Sequence, residues 1–271
     1  MDNSLFSING QVVVITGGTG ILGSAIALHL AKEGAKVMVL GRNEQRGEAL
    51  IRNIKESKGE ARFYQVDVLD RKSLEDCRTS ILKENGKIDT LLNAAGGNQA
   101  GATIPPEKSF FDLEIEAMRN VVDLNLLGTV LPTQVFLKPM SEVKKGCIVN
   151  FSSMSAFRPL TRVTGYSAAK AAISNFTQYM AAEVATKIGS GIRVNAIAPG
   201  FFLTEQNRAL LTNPDGSHTT RAKRIIQQTP FGRFGEPEEL CGTIQYLISE
   251  ASKFVTGTVA VVDGGFNAFC L

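Results

Sequence analysis

Short apolar runs and longer stretches of helical period alternate along this chain. The runs at 12–16 (VVVIT), 36–40 (KVMVL), 62–66 (RFYQV), 90–93 (TLLN), 147–151 (CIVNF), 193–198 (RVNAIA) and 259–262 (VAVV) are β-branched or continuously apolar. Strands buried on both faces of a parallel sheet carry this pattern. Between them, 21–33, 44–58, 72–85, 112–142, 166–187 and 237–249 place apolar residues with the period of an α-helix. Strand alternating with helix predicts right-handed βαβ crossovers, hence an α/β fold with a doubly wound, seven-stranded parallel sheet and helices on both faces. The whole of 1–271 reads as one domain. Two stretches lack a period, 96–109 and 205–234. Long irregular loops in a compact domain are usually functional, so both are expected to touch substrate. The second has short helical pieces at 206–211 and 219–228 around the turn signal Asn213-Pro214-Asp215-Gly216, and is expected to form a lid.

Composition removes several classes. With 44% hydrophobic and 20% charged residues the chain can build an ample core. Lys plus Arg number 29 and Asp plus Glu 26, so the net charge is only +3. A nucleic-acid or membrane surface would want a concentrated basic face, so neither partner is expected. No apolar run reaches the ~20 residues that cross a bilayer. The opening MDNSLFSING has neither a basic nor an apolar leader region, and a cytoplasmic protein is expected. Cys77, Cys147, Cys241 and Cys270 are scattered, and His29 and His218 are the only histidines. Free thiols and no metal site follow.

The first strand runs straight into Thr16-Gly17-Gly18-Thr19-Gly20-Ile21-Leu22-Gly23, with a helix immediately after. In that context glycines give the tight turn and let backbone N–H groups of Gly17, Thr19, Gly20, Ile21 and Leu22 approach a pyrophosphate at the positive end of the helix. The fold is then the Rossmann-type, dinucleotide-binding form. An acid at the end of the second strand would bind the ribose 2′-hydroxyl of NAD and repel the 2′-phosphate of NADP. Leu40-Gly41-Arg42-Asn43 has no acid there, a small residue and a guanidinium. NADP(H) is therefore favoured, with NAD(H) possible if Arg42 only stacks on adenine. Asp67-Val68 after the third strand offers a carboxylate to the adenine amino group, or Asp67 caps the helix that starts near Asp70. Asn93-Ala94-Ala95-Gly96 ends the fourth strand with small residues, as close approach of a cofactor requires.

Tyr166-Ser167-Ala168-Ala169-Lys170 opens an apolar helix, with Tyr166 and Lys170 on one face. A tyrosine of pKa ~10 serves as a neutral-pH acid or base only when a cation stabilises its phenolate, a role open to Lys170. Ser153 ends the fifth strand and is placed to hydrogen-bond a substrate carbonyl. Asn125 interrupts an apolar helix in Asp123-Leu124-Asn125-Leu126-Leu127-Gly128, where such a residue bends the helix or holds a water leading to Lys170.

With these motifs the chain resembles the short-chain dehydrogenase/reductase superfamily from about residue 9 to 267. The resemblance implies that Asn125, Ser153, Tyr166 and Lys170 form the catalytic tetrad. It implies cofactor contacts from Tyr166 and Lys170, from the Pro199-Gly200 turn with Phe202 after it, and from Thr204. It also implies a homotetramer built on the helices 112–142 and 166–187, which carry more apolar residues than one sheet face needs. Two departures stand out: Ile21 occupies the middle glycine of T-G-x-x-x-G-x-G, with Gly20 one earlier, and Ala94 makes N-A-A-G of N-N-A-G.

A narrower resemblance, carried by VVDLNLLGTVLPTQVF, YSAAKAAISNFTQYMA, GIRVNAIAPGFFLTEQNRALL and TPFGRFGEPEEL, is to the D-mannonate oxidoreductase (fructuronate reductase) subgroup. The subgroup commonly has Asp-Arg-Asn where Gly41-Arg42-Asn43 stands, which turns the expectation from NAD to NADP. The resemblance implies reduction of D-fructuronate to D-mannonate. Arginine forks suit carboxylates and amides suit sugar hydroxyls, so Arg158 and Arg208 are expected to clamp a sugar-acid carboxylate, with Asn98, Ser153 and Tyr166 also at the substrate. Phe201 and Phe202 also read as packing under the lid. The competing readings are a reductase of another substrate, a 3-oxoacyl thioester or a gluconate-type keto acid, and a non-catalytic nucleotide sensor. A sensor typically loses the tyrosine or the lysine, and both are present.

Overall fold

The computed structural model describes residues 4–158, 160–203, 208 and 210–269. Strands β1 (Val12–Thr16), β2 (Lys36–Gly41), β3 (Glu60–Gln65), β4 (Thr90–Asn93), β5 (Gly146–Phe151), β6 (Ile192–Pro199) and β7 (Val259–Val262) form one sheet in the order β3-β2-β1-β4-β5-β6-β7. All neighbours pair in parallel. The chain leaves β1 toward one edge and returns to β4 on the other side of β1. That reversal opens a crevice at the carboxyl ends of β1 and β4, where doubly wound sheets bind ligands.

Alternate side chains of each strand feed two cores. Val13, Ile15, Val37, Val39 and Val149 pack with Ile26 and Leu30 of α1 (Ile21–Lys32), with α2 (Glu44–Glu56) and with α8 (Cys241–Ile248). Val12, Val14, Leu40, Leu91 and Ile148 face the other way, onto α3 (Arg71–Asn85), α5 (Gly128–Val143) and α6 (Thr164–Lys187). The period of two thus sorts each strand between two helical layers. The outermost strands depart from the expectation of double burial: β3 alternates with exposed Glu60, Arg62 and Gln65, and Val261 of β7 is 42% exposed. Each has only one strand neighbour, so part of its surface is left to solvent.

The single helix expected at 112–142 is built in pieces. A 3₁₀ turn (Phe110–Asp112) precedes α4 (Ile115–Val122), a π-helical turn spans Asp123–Leu127, and α5 follows at once. α6 starts two residues before Tyr166. Within the expected lid, α7 (Thr220–Gln227) is capped by the Thr219 hydroxyl, which accepts from the Ala222 N–H at 3.2 Å. Leu211, Ala222, Ile225 and Phe234 make a small core of their own there. Among the described residues no helix is long and apolar enough to cross a membrane.

Candidate active site

A cavity of about 530 Å³ occupies the crevice. Its floor is the turn after β1. Gly17 has φ +64°, and a Cβ there would fall 2.7 Å from Cα of Ala95. One at Gly23 would fall 2.5 Å from the Gly17 carbonyl oxygen. Only glycine lets the turn lie this close to the end of β4 and to itself. No side chain caps the first turn of α1, whose N-cap is Gly20, so its N–H groups face the cavity beside Ile21 and Leu22. An open helix N-terminus in a side-chain-free cradle suits a pyrophosphate, so these residues fit a dinucleotide. Ile21 in place of a glycine begins the helix without closing the cradle, since the close approaches fall at Gly17 and Gly23.

At one end of the cavity stand Arg42, Asn43, Asp67 and Val68, with Thr19 beside Gly41. Arg42 is exposed at the rim. Arg46 also lines this end and was not anticipated; its place one helical turn beyond Arg42, on the first turn of α2, was the available signal. Asn43 has a second task, because its Oδ1 accepts from the Arg46 N–H at 2.9 Å and caps α2. Asp67 accepts from the Leu69 N–H at 2.9 Å, while Asp70 itself caps α3.

The middle of the wall is Ala94, Ala95 and Gly96. Asn93 is a correction: it is buried behind that wall and does not line the cavity. Its Nδ2 donates to Thr133 Oγ1 at 3.0 Å and to Asn150 Oδ1 at 2.9 Å. Thr133 donates in turn to the Thr129 carbonyl, and Thr129 to the Asn125 carbonyl, each at 2.8 Å. Asn93 therefore ties the sheet to the π-helical turn.

At the other end Ser153, Tyr166 and Lys170 share the wall with Pro199, Gly200, Phe201 and Phe202. The Ser153 side chain stands beside the Tyr166 phenol, and Lys170 Nζ lies 5.5 Å from the centre of the Tyr166 ring. Burial pushes the Tyr166 phenol up, and the neighbouring Ser153 side chain works against that rise. Burial also brings the Lys170 ammonium down to about 7, near the middle of the physiological range. Asn125 is fully buried in the π-helical turn, where its Nδ2 donates to the carbonyls of Gly97 at 2.7 Å and Val121 at 2.8 Å. A Cβ on Gly96 would lie 2.6 Å from Asn125 Oδ1 and 3.3 Å from Lys170 Nζ, so these three groups converge. Phe202 is both buried and at the wall; its ring covers Gly235, where a Cβ would meet it at 2.5 Å.

The expected substrate clamp is also corrected. Arg158 lies outside the cavity lining, and its Nη1 donates to the carbonyls of Phe266 at 2.8 Å and Phe269 at 3.2 Å. Its guanidinium also sits over the Phe266 ring, 5.2 Å from the centroid, so it anchors the C-terminal turn. Arg208 is exposed and does not line the cavity. Asn98 is exposed too and donates to Thr103 Oγ1 at 2.8 Å, within its own loop. Thr204 lies outside the described residues.

Comparison with known proteins places this geometry. A family model for enoyl-(acyl carrier protein) reductase matches residues 8–267. An uncharacterized oxidoreductase of Bacillus subtilis is 46% identical over 272 residues, 97% of either chain. The solved structure of a proposed D-mannonate oxidoreductase from Haemophilus influenzae, with NAD bound, is 43% identical and superposes with a TM-score of 0.92 over 97% of both chains. A gluconate 5-dehydrogenase from Burkholderia cenocepacia, in complex with NADP and tartrate, is 29% identical with a TM-score of 0.86 over 98% of both chains.

Proposed function

Because this chain belongs to the short-chain dehydrogenase/reductase family and is an oxidoreductase of keto and alcohol groups, we propose that its substrate is a sugar acid, with D-fructuronate reduced to D-mannonate and NADP(H) favoured over NAD(H). The chemistry rests on one arrangement: Tyr166 stands at the cavity wall between the Ser153 hydroxyl and the buried Lys170 ammonium. A bound nicotinamide dinucleotide supplies hydride exchange with the carbinol carbon. The chain handles the proton. In reduction Ser153 donates a hydrogen bond to the carbonyl oxygen, and the Tyr166 hydroxyl delivers its proton to that oxygen. The phenolate left behind is stabilised by Lys170, whose charge counts for more because it is buried. Asn125 holds the Gly97 segment against the lysine. Alcohol oxidation runs the same transfers backward.

Support for the sugar acid comes from the likeness to the Haemophilus influenzae and Burkholderia cenocepacia proteins. Support for NADP(H) is local. β2 ends on Gly41 and not on an acid, and Arg42 and Arg46 bring two cations to that end of the cavity. The Haemophilus influenzae protein holds NAD, so NAD(H) stays within reach of this scaffold. A homotetramer is proposed from the exposed apolar side chains of Phe110, Phe111, Ile115 and Leu127, on α4 and the segments flanking it. The test is consumption of NADPH and NADH with D-fructuronate, a gluconate-type keto acid and a 3-oxoacyl thioester. D-fructuronate should be turned over at least ~10-fold better than the thioester, the scale of one substrate discriminated by a few kcal/mol or less. Preference for the thioester would reject the sugar-acid reading.

A further inference from the structure

Arg162, Arg221 and Arg224 surround a second cavity, of about 370 Å³, which shares Phe201 with the catalytic cleft. Arg162 stands four residues before Tyr166, and the other two belong to α7. Several arginines elsewhere are neutralised by acids or hold main-chain carbonyls: Arg62 pairs with Glu84, Arg71 with Glu75 and Arg233 with Glu239, and Arg193 donates to the carbonyls of Leu247 and Ser249. Among the described residues none of the three cavity arginines has such a partner. Arg162 and Arg221 lie close enough to repel, for burial and then the charge of Arg162 both push the Arg221 guanidinium down. Like charges gathered at a cavity without a counter-charge disfavour the empty state and favour an anion there.

The backbone adds an independent sign. Arg162 has φ +78°, a left-handed conformation that an arginine adopts at a cost. Its carbonyl accepts from the Ile104 N–H at 3.0 Å, which ties the 96–109 loop to this turn. Strain of this kind at a non-glycine residue persists where the surroundings over-determine it, commonly at ligand clamps. In D-fructuronate three carbinol carbons separate the keto carbon from the carboxylate. With the keto group against Ser153 and Tyr166, the charged end lies four carbons away from the reacting carbon, and the second cavity adjoins the catalytic cleft at Phe201.

We propose that this second cavity is the carboxylate subsite of the active site, where Arg162 and Arg221, with Arg224 at the rim, hold the acid group of an open-chain polyhydroxy acid. The assignment rests on the sugar-acid reading above and gives the recognition role to residues other than Arg158 and Arg208. Thr161 and Gln228 in the same lining suit the hydroxyls next to the acid.

The test compares three compounds of one carbon skeleton: D-mannonate, neutral D-mannitol and D-mannitol 1-phosphate. Calorimetric affinities are measured on the protein loaded with reduced cofactor, so that no turnover occurs, and KM and kcat are measured with oxidised cofactor. The proteins are the parent, Arg221→Gln, and Arg162→Asn, which keeps a residue tolerant of positive φ. Arg221→Lys retains a point charge without the fork, and thermal melts check that each variant folds. The parent should prefer D-mannonate to D-mannitol. Each neutral variant should cut that preference about 10-fold or more, through the KM of the acid and not through kcat, as loss of a charge-assisted bidentate contact predicts. Arg221→Lys should fall between. If the parent prefers the acid and the folded variants keep the full preference, the subsite is overturned and the sugar-acid reading stands. If the parent does not distinguish acid from alcohol, both fall. If D-mannitol 1-phosphate binds best and the variants lose it, the arginines serve a phosphate and the carboxylate assignment is overturned.

Discussion

Lys170 Nζ donates to the main-chain carbonyl of Phe151 at 2.7 Å, which joins the buried ammonium of α6 to the end of β5, two residues before Ser153. Proton donor, oxyanion partner and cation are thus held on adjoining ends of one helix and one strand. Rigid elements of this kind hold a catalytic geometry better than loops do.

That buried lysine has a consequence for stability. Its pKa is brought down to about 7 by burial, whereas an unfolded lysine titrates near 10.4. Between those values the unfolded chain carries a proton that the folded chain lacks, so stability rises with pH. From about pH 7 to about pH 9 the parent should gain about 2 kcal/mol relative to Lys170→Met in denaturant unfolding. A difference between the two proteins that is flat with pH would show that Lys170 titrates normally.

Tyr166→Phe removes the phenol and leaves the ring in place. Turnover should fall about 10²–10⁴-fold, the usual loss of a positioned acid or base, with cofactor affinity nearly unchanged. Activity within a few-fold of the parent would remove Tyr166 from the proton path.

The cofactor end can be read from affinities. Arg42→Ala should weaken NADPH by ~1.5–3 kcal/mol, the range for hydrogen bonds to charged groups, and spare NADH. Gly41→Asp should reverse the preference through repulsion of the 2′-phosphate. The added Cβ would lie 2.7 Å from Thr19 Oγ1, so that side chain must rotate. A parent that already binds NADH more tightly would assign Arg42 to stacking on adenine.

Arg158→Ala should act on stability and not on recognition. It strips the donor from the Phe266 and Phe269 carbonyls and the cation from the Phe266 ring. A loss of about 1–3 kcal/mol is expected. Acid and neutral substrates should be affected alike, and a KM effect confined to acids would restore Arg158 to the carboxylate.

Assembly is measurable directly. Phe111 is 95% exposed and Phe110 65%, and the proposed homotetramer would cover them. Light scattering at micromolar concentration should give four times the monomer mass, and a monomer mass would dismiss the interface.

The scaffold and the two local motifs are legible in the residue pattern alone. Strand and helix periods, the glycine turn and the four-residue step from Tyr166 to Lys170 are short-range properties, set by sterics and by a repeat that neighbouring residues share. What a side chain faces across the fold is not short-range. Arg158 and Arg162 are identical in charge and four residues apart, yet one is used on C-terminal carbonyls and the other stands at a cavity. Asn93 sits in a strand-end motif that reads as cofactor contact, but strand alternation and a partner threonine from α5 turn it into the interior. The 112–142 period did not show where the π-helical turn would fall; Asn125 within it donates to the Gly97 carbonyl of another loop, a partner the local sequence does not reveal. Such matters are settled by folding, since each depends on residues far apart in the chain that come together only in the folded protein.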